Sequence, residues 1–119
     1  MSASFHPGSA FLVVEVIGEA TLVELCNLAD KTVEVAAAGK HQRVLFNFTQ
    51  LVMKLAFTEH LNLGMHVAHV FHGLERIATV VLPVYKTGIS EKVAQRGGLR
   101  LRAFSDLESA IEWIAEDGP

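Results

Sequence analysis

The sequence predicts a single α/β domain with a mostly parallel four- to five-stranded sheet, an antiparallel edge and the element order β(β)αβαβαβα. Three observations carry this expectation. Runs of strand length such as Arg43-Val-Leu-Phe-Asn-Phe48 and Ile77-Ala-Thr-Val-Val-Leu82 are apolar almost throughout, as strands covered on both faces are. Segments with helical periodicity separate them, and that alternation implies right-handed crossovers. The 119 residues set the length of one domain, taken as 1–119, with a core that needs no staples.

Ser2–Phe5 is a candidate edge strand, and His6-Pro7-Gly8-Ser9 is a turn signal, because proline fixes φ and glycine tolerates positive φ. Ala10–Ile17 is rich in branched and aromatic residues and ends at Gly18, so it reads as the first main strand. Thr21-Leu-Val-Glu24 forms a capping box. The helix it opens runs to about Ala38 and stops at Gly39, with Leu22, Leu25, Cys26, Ala29, Val33 and Ala36 as its buried stripe.

Lys40-His-Gln leads into the central strand, Arg43–Phe48. Thr49–Phe57 fits either a single turn or an extended crossing. A helix over 58–72 follows, with Thr58 as its N-cap. Its apolar side is Leu61, Met65, Ala68 and Phe71, widened by Leu63, Val67 and Val70, while Glu59, Asn62, His66 and His69 fall opposite.

Pro83 closes the strand Ile77–Leu82 because it cannot donate to a ladder. A loop, Val84–Gly88, and a short helix, Ile89–Arg96, come next, the latter ended by Gly97-Gly98. Leu99–Phe104 alternates strictly, as a strand with one wetter face does. Ser105-Asp-Leu-Glu108 is a second capping box. It opens a last helix with Leu107, Ala110, Ile111, Ile114 and Ala115 on one side.

Composition narrows the function classes. Half the residues are hydrophobic, which excludes a disordered chain. A formal net charge of −3 is the wrong sign for non-specific nucleic-acid binding. The single cysteine, Cys26, excludes an internal disulfide, suits a reducing cytoplasm and reads as a packing residue. No apolar run is long enough to span a membrane, and the start lacks a secretion signal.

Motifs for catalysis are missing. There is no GxSxG elbow, no glycine-rich phosphate loop and no HExxH. Four of the six histidines, His60, His66, His69 and His72, share one helix. Two of them at i, i+3 do not make the three or four convergent ligands that zinc wants. No metal and no cofactor are therefore expected. Two features point to binding instead. Phe57, Leu61, Met65, Tyr85, Ile89 and Val93 form a candidate apolar groove between the helices at 58–72 and 89–96. Lys86, Lys92 and Arg96 form a candidate contact for an anionic lipid head or an acidic partner.

The chain also resembles the bacterial SpoIIAA-like family. That family lies within the fold of sulfate-transporter and anti-sigma-factor antagonist domains and is related in shape to CRAL-TRIO lipid-transfer domains. The resemblance rests on Gly18-Glu-Ala-Thr, Val44-Leu-Phe-Asn-Phe, Arg76-Ile-Ala-Thr-Val-Val and, most of all, Leu101-Arg-Ala-Phe-Ser-Asp-Leu-Glu-Ser-Ala-Ile-Glu-Trp-Ile. It implies a cytoplasmic, non-enzymatic regulatory or carrier domain, often a homodimer. In antagonist members a serine at the start of the helix after the central strand is phosphorylated. The matching turn here is Phe57-Thr58-Glu59-His60, with Thr58 or Glu59 at that position as the candidate phospho-acceptor or partner switch.

Two functional expectations follow. The first is a module that binds a non-polar ligand, such as a lipid, or touches a membrane surface peripherally through the two helices. The second is a regulatory domain that binds a protein partner through Phe57–His60.

Overall fold

The computed structural model describes residues 1–85 and 88–116. Five strands line up in sequence order: β1 (Ser2–Pro7), β2 (Leu12–Ala20), β3 (Arg43–Met53), β4 (Arg76–Val80) and β5 (Leu101–Phe104). β1 runs antiparallel to β2, and every other neighbouring pair is parallel. The helices are α1 (Leu22–Ala38), α2 (Phe57–Val70), α3 (Ile89–Arg96) and α4 (Leu107–Ala115). The expected architecture is the one found.

The order of strands fixes where the helices lie. Each parallel crossover steps one strand in the same direction, so α1, α2 and α3 fall on one face of the sheet. There Val14, Val44, Phe46, Ile77 and Leu101 pack with Leu25, Leu28 and Phe71 in the larger core. The last helix, α4, turns to the other face. Ala110 and Ile114 meet Leu45, Ala78, Val80 and Phe104 there, in a second and smaller core. Successive side chains in β4 and β5 thus serve opposite faces, as a pleated strand requires.

The central strand is longer than its apolar run. The segment after Phe48 is neither a turn nor a crossing, because β3 continues to Met53. Its register with β2 jumps from Glu15↔Asn47 to Ile17↔Gln50, so β3 holds one extra residue, a β-bulge. Asn47 Oδ1 accepts from the Thr49 amide at 3.1 Å and from the Thr49 hydroxyl at 2.7 Å, satisfying the donors the bulge frees. The bulge switches parity: Val44, Phe46 and Phe48 face the helices before it, and Leu51 and Met53 do so after it.

Helix starts also differ from expectation. Thr21 caps α1 as read, with Glu24 reciprocating. By contrast, the N-cap of α2 lies two residues before Thr58. It is Ala56, whose amide donates to the Glu59 carboxylate at 2.9 Å. A glutamate at the third helical position can serve the cap amide and favour the helix dipole without a capping hydroxyl. In α4, Asp106 rather than Ser105 is the cap, accepting from the Ser109 amide at 2.8 Å.

Two glycines set the spacing of α2 and α3. A Cβ on Gly64 would lie 2.7 Å from Val93 Cβ, and one on Gly97 would lie 2.6 Å from Ala68 Cβ. Only hydrogens at these positions let the helices touch.

Candidate functional site

The two glycine contacts hold α2 and α3 side by side over the parallel half of the sheet. Behind them lies a cavity of ≈ 120 Å³. Its walls come from α1 (Leu25, Leu28), β3 (Phe46, Met53), α2 (Leu63, Val67) and the sheet floor (Ile77, Thr79), and it is apolar over most of its surface. Thr79 registers its presence. This residue sits in a strand flanked on both sides and between fully buried neighbours, yet stays partly accessible.

Polar residues join this wall. His60, Ser90, Glu91 and Tyr85 line the cavity, and His60 and Ser90 are in contact. The Ser90 hydroxyl donates to the His60 carbonyl at 3.1 Å and also meets His60 Nδ1 at 3.2 Å. Burial pushes the His60 imidazole below its ordinary pKa, with Glu59 opposing the shift. The Glu91 carboxylate accepts from the Ala103 amide at 2.8 Å, tying α3 to β5.

The sequence-predicted groove residues are not brought together. Tyr85 lines the cavity. Phe57 and Met65 point away from it and are 63% and 64% exposed. Leu61, on the same helix, is half-buried. Ile89 and Val93 are half-buried in α3, with Val93 against Gly64. Helical spacing explains the division. Residues 57, 61 and 65 recur at i, i+4 and i+8 and form one stripe, whereas His60, Leu63, Gly64, Val67 and Phe71 form the inward side. The sequence reading joined these two stripes into one apolar face.

Thr58 is exposed in the first turn of α2, and Glu59 is engaged by the Ala56 amide. Lys92 and Arg96 are exposed one turn apart on α3, and Lys86 lies outside the described residues. The histidines of α2 disperse. His66 Nε2 meets Asp30 Oδ1 of α1 at 2.8 Å, His72 Nδ1 meets the His69 carbonyl at 2.8 Å, and His60 faces the cavity. Among the described residues no three His, Cys, Asp or Glu side chains converge on a metal position, and no helix is long and apolar enough to cross a membrane. Cys26 is half-buried, and burial, reinforced by Asp30, raises its thiol pKa. That favours the thiol over the nucleophilic thiolate.

Solved structures share this arrangement of sheet and helices. An uncharacterised DUF3478-family protein with a SpoIIAA-like fold, from Shewanella loihica PV-4, is 18% identical; the match covers 95% of this chain and 92% of that one, with a TM-score of 0.59. An anti-sigma factor antagonist from Mycobacterium paratuberculosis is 13% identical over 97% of this chain and 94% of its own, with a TM-score of 0.65. The unphosphorylated anti-sigma factor antagonist SpoIIAA is 16% identical over 95% of this chain and 96% of its own, with a TM-score of 0.55. No family model matches the chain, and no curated protein sequence matches it. The chain has the SpoIIAA-like fold.

Proposed function

We propose that the domain is a regulatory module that binds a protein partner through the outer face of α2. The observation that carries this reading is the stripe Phe57–Leu61–Met65. Two of its large apolar side chains are more than half exposed on a helix whose opposite side is already committed to the core. Aromatic and methionine side chains are enriched where protein interfaces are buried. Anti-sigma factor antagonists of the same fold lend the reading its class, since antagonism of a protein factor is a protein-binding activity.

Thr58 lies within this face. A phosphate there would meet the favourable end of the helix dipole. It would also set a charge between Phe57 and Leu61, where an apolar partner surface must dock. Addition of that charge therefore opposes binding without unfolding the helix.

The test is affinity capture from the source cells, followed by titration of the purified partner. Phe57→Ser and Met65→Ser should each weaken the complex by at least about tenfold, as loss of an interface anchor does. Thr58→Glu should weaken it comparably, and Lys31→Ser on α1 should not. A complex indifferent to the three α2 changes, or no reproducible partner, overturns the proposal.

A further inference from the structure

The space behind α2 is separate from the outer stripe and has its own chemistry. Its volume of ≈ 120 Å³ is close to that of apolar cavities of about 150 Å³ that stay dry and take up benzene. That sets the scale of an occupant at a single ring. A lipid chain would not fit within it and would run out through its open side.

The hydrogen bonds of His60 and Ser90 set what such a molecule must carry. Ser90 has one hydroxyl proton, and it is given to the His60 carbonyl. The second contact, between the same oxygen and His60 Nδ1, then requires that Nδ1 hold the ring proton. His60 Nε2 is left as an acceptor, and among the described residues it takes no hydrogen bond. Glu91 also lines the cavity, and its negative charge opposes an anionic guest. An apolar wall also makes any charged guest costly to desolvate.

We propose that this cavity is a binding site for a neutral one-ring aromatic molecule with one hydroxyl, the phenol class, which donates to His60 Nε2 while its ring rests among Phe46, Leu63, Val67 and Thr79. Leu25 and Leu28 close the side toward α1. Phenol fits both constraints. Benzene meets only the first, and dodecanoate meets neither.

The experiment is titration of the isotope-labelled full chain with phenol, benzene and dodecanoate, followed by amide chemical shifts. Phenol should give saturable shifts centred on β3, β4 and the inner side of α2. Benzene should bind about five- to tenfold more weakly, the difference one hydrogen bond makes, and dodecanoate should leave the cavity amides unmoved. Thr79 and Ala103 both line the cavity; Thr79→Leu and, independently, Ala103→Leu fill the space and should abolish the phenol shifts while the fold is retained by circular dichroism. His60→Leu should erase the preference for phenol over benzene. The proposal is overturned if phenol gives no saturable shifts, if it binds both filled variants as well as the wild type, if its advantage over benzene survives His60→Leu, or if dodecanoate is the better ligand. These readouts do not involve the outer face of α2, so their failure leaves the partner-binding reading standing, and the converse holds.

Discussion

Arg76 donates from Nη1 to the backbone carbonyl of Trp113 across 2.7 Å and sets its guanidinium 5.4 Å from the centre of the same residue's indole ring. It is 1% exposed, and it also reaches the Glu116 carbonyl at 3.2 Å. Arg43, its register partner on β3, donates to the Ile114 and Glu116 carbonyls and is braced by Glu75. The last carbonyls of a helix have no partner within it. Two arginines from neighbouring strands supply those partners for α4 and fix it to the sheet. Arg76→Met removes the donor but keeps the apolar stem. It should cost about 3 kcal/mol in urea unfolding, because buried carbonyls lose a charged donor. Arg76→Lys should recover only part of this, since an ammonium cannot bridge two carbonyls and also stack on the ring.

How far the sequence speaks depends on the range of the interaction. The strands Arg43–Phe48 and Ile77–Leu82 declare themselves because their burial is local and continuous. The extension of β3 to Met53 is hidden because the bulge at Thr49 moves the inward positions from even to odd numbers, so no single period of two survives. The inward side of α2 is confused with its outer stripe because leucine, methionine and valine occur on both. The cavity is invisible for a different reason. Thr79 and Ser90 have no special sequence context, and only the packing of α2 and α3 brings them to one space.

The start of α2 is under-capped, and that can be corrected. Ala56 has the extended backbone of an N-cap, at φ −70° and ψ 162°, but no side chain to accept from the helix amides. Ala56→Ser should raise stability by about 1 kcal/mol. Thr58→Ala, in the first turn and exposed, should change it by less than about 0.5 kcal/mol. Thermal unfolding of the two variants side by side decides the matter. A larger loss from Thr58→Ala than gain from Ala56→Ser would return the cap to Thr58.

The contact between α2 and α3 should be sensitive to a single methyl. A Cβ on Gly64 meets Val93 Cβ at 2.7 Å and the Ser90 carbonyl at 2.9 Å, so Gly64→Ala forces the helices apart. The helix-propensity gain of alanine, about 1 kcal/mol, works in the other direction. Overpacking should outweigh it and leave a net loss of about 1–2 kcal/mol. Val93→Ala alone should also destabilise, by loss of buried volume. Together the two changes should cost nearly their sum, because alanine at 93 removes the Cγ1 contact at 2.9 Å but keeps the Cβ contact at 2.7 Å and the Ser90 carbonyl at 2.9 Å. A Gly64→Ala variant as stable as the wild type or more so would show that the helices do not press on one another at this point.

The state of His60 makes stability depend on pH in a definite sense. Burial beside the cavity lowers its pKa below the ordinary 6.5, and Glu59 only partly counters this. The folded protein therefore binds a proton at His60 less readily than the unfolded chain does. Where the unfolded state holds more protons, stability rises with pH. This contribution is intact above the ordinary histidine pKa. It is lost progressively as pH falls through about 6.5 toward the lowered folded value, and below that the penalty is constant. Ser90 and Glu91 share the site with His60; protonation puts a second donor on the ring, at the nitrogen that was the acceptor. Urea unfolding at about pH 7.5 and about pH 5.5 should show a loss of stability on acidification that is smaller in His60→Leu than in the wild type. Phenol affinity in the wild type should hold down to about pH 6.5 and fall only below it, where His60 of the folded protein takes up its proton. An equal acid loss in both proteins would mean that other groups carry the whole pH dependence.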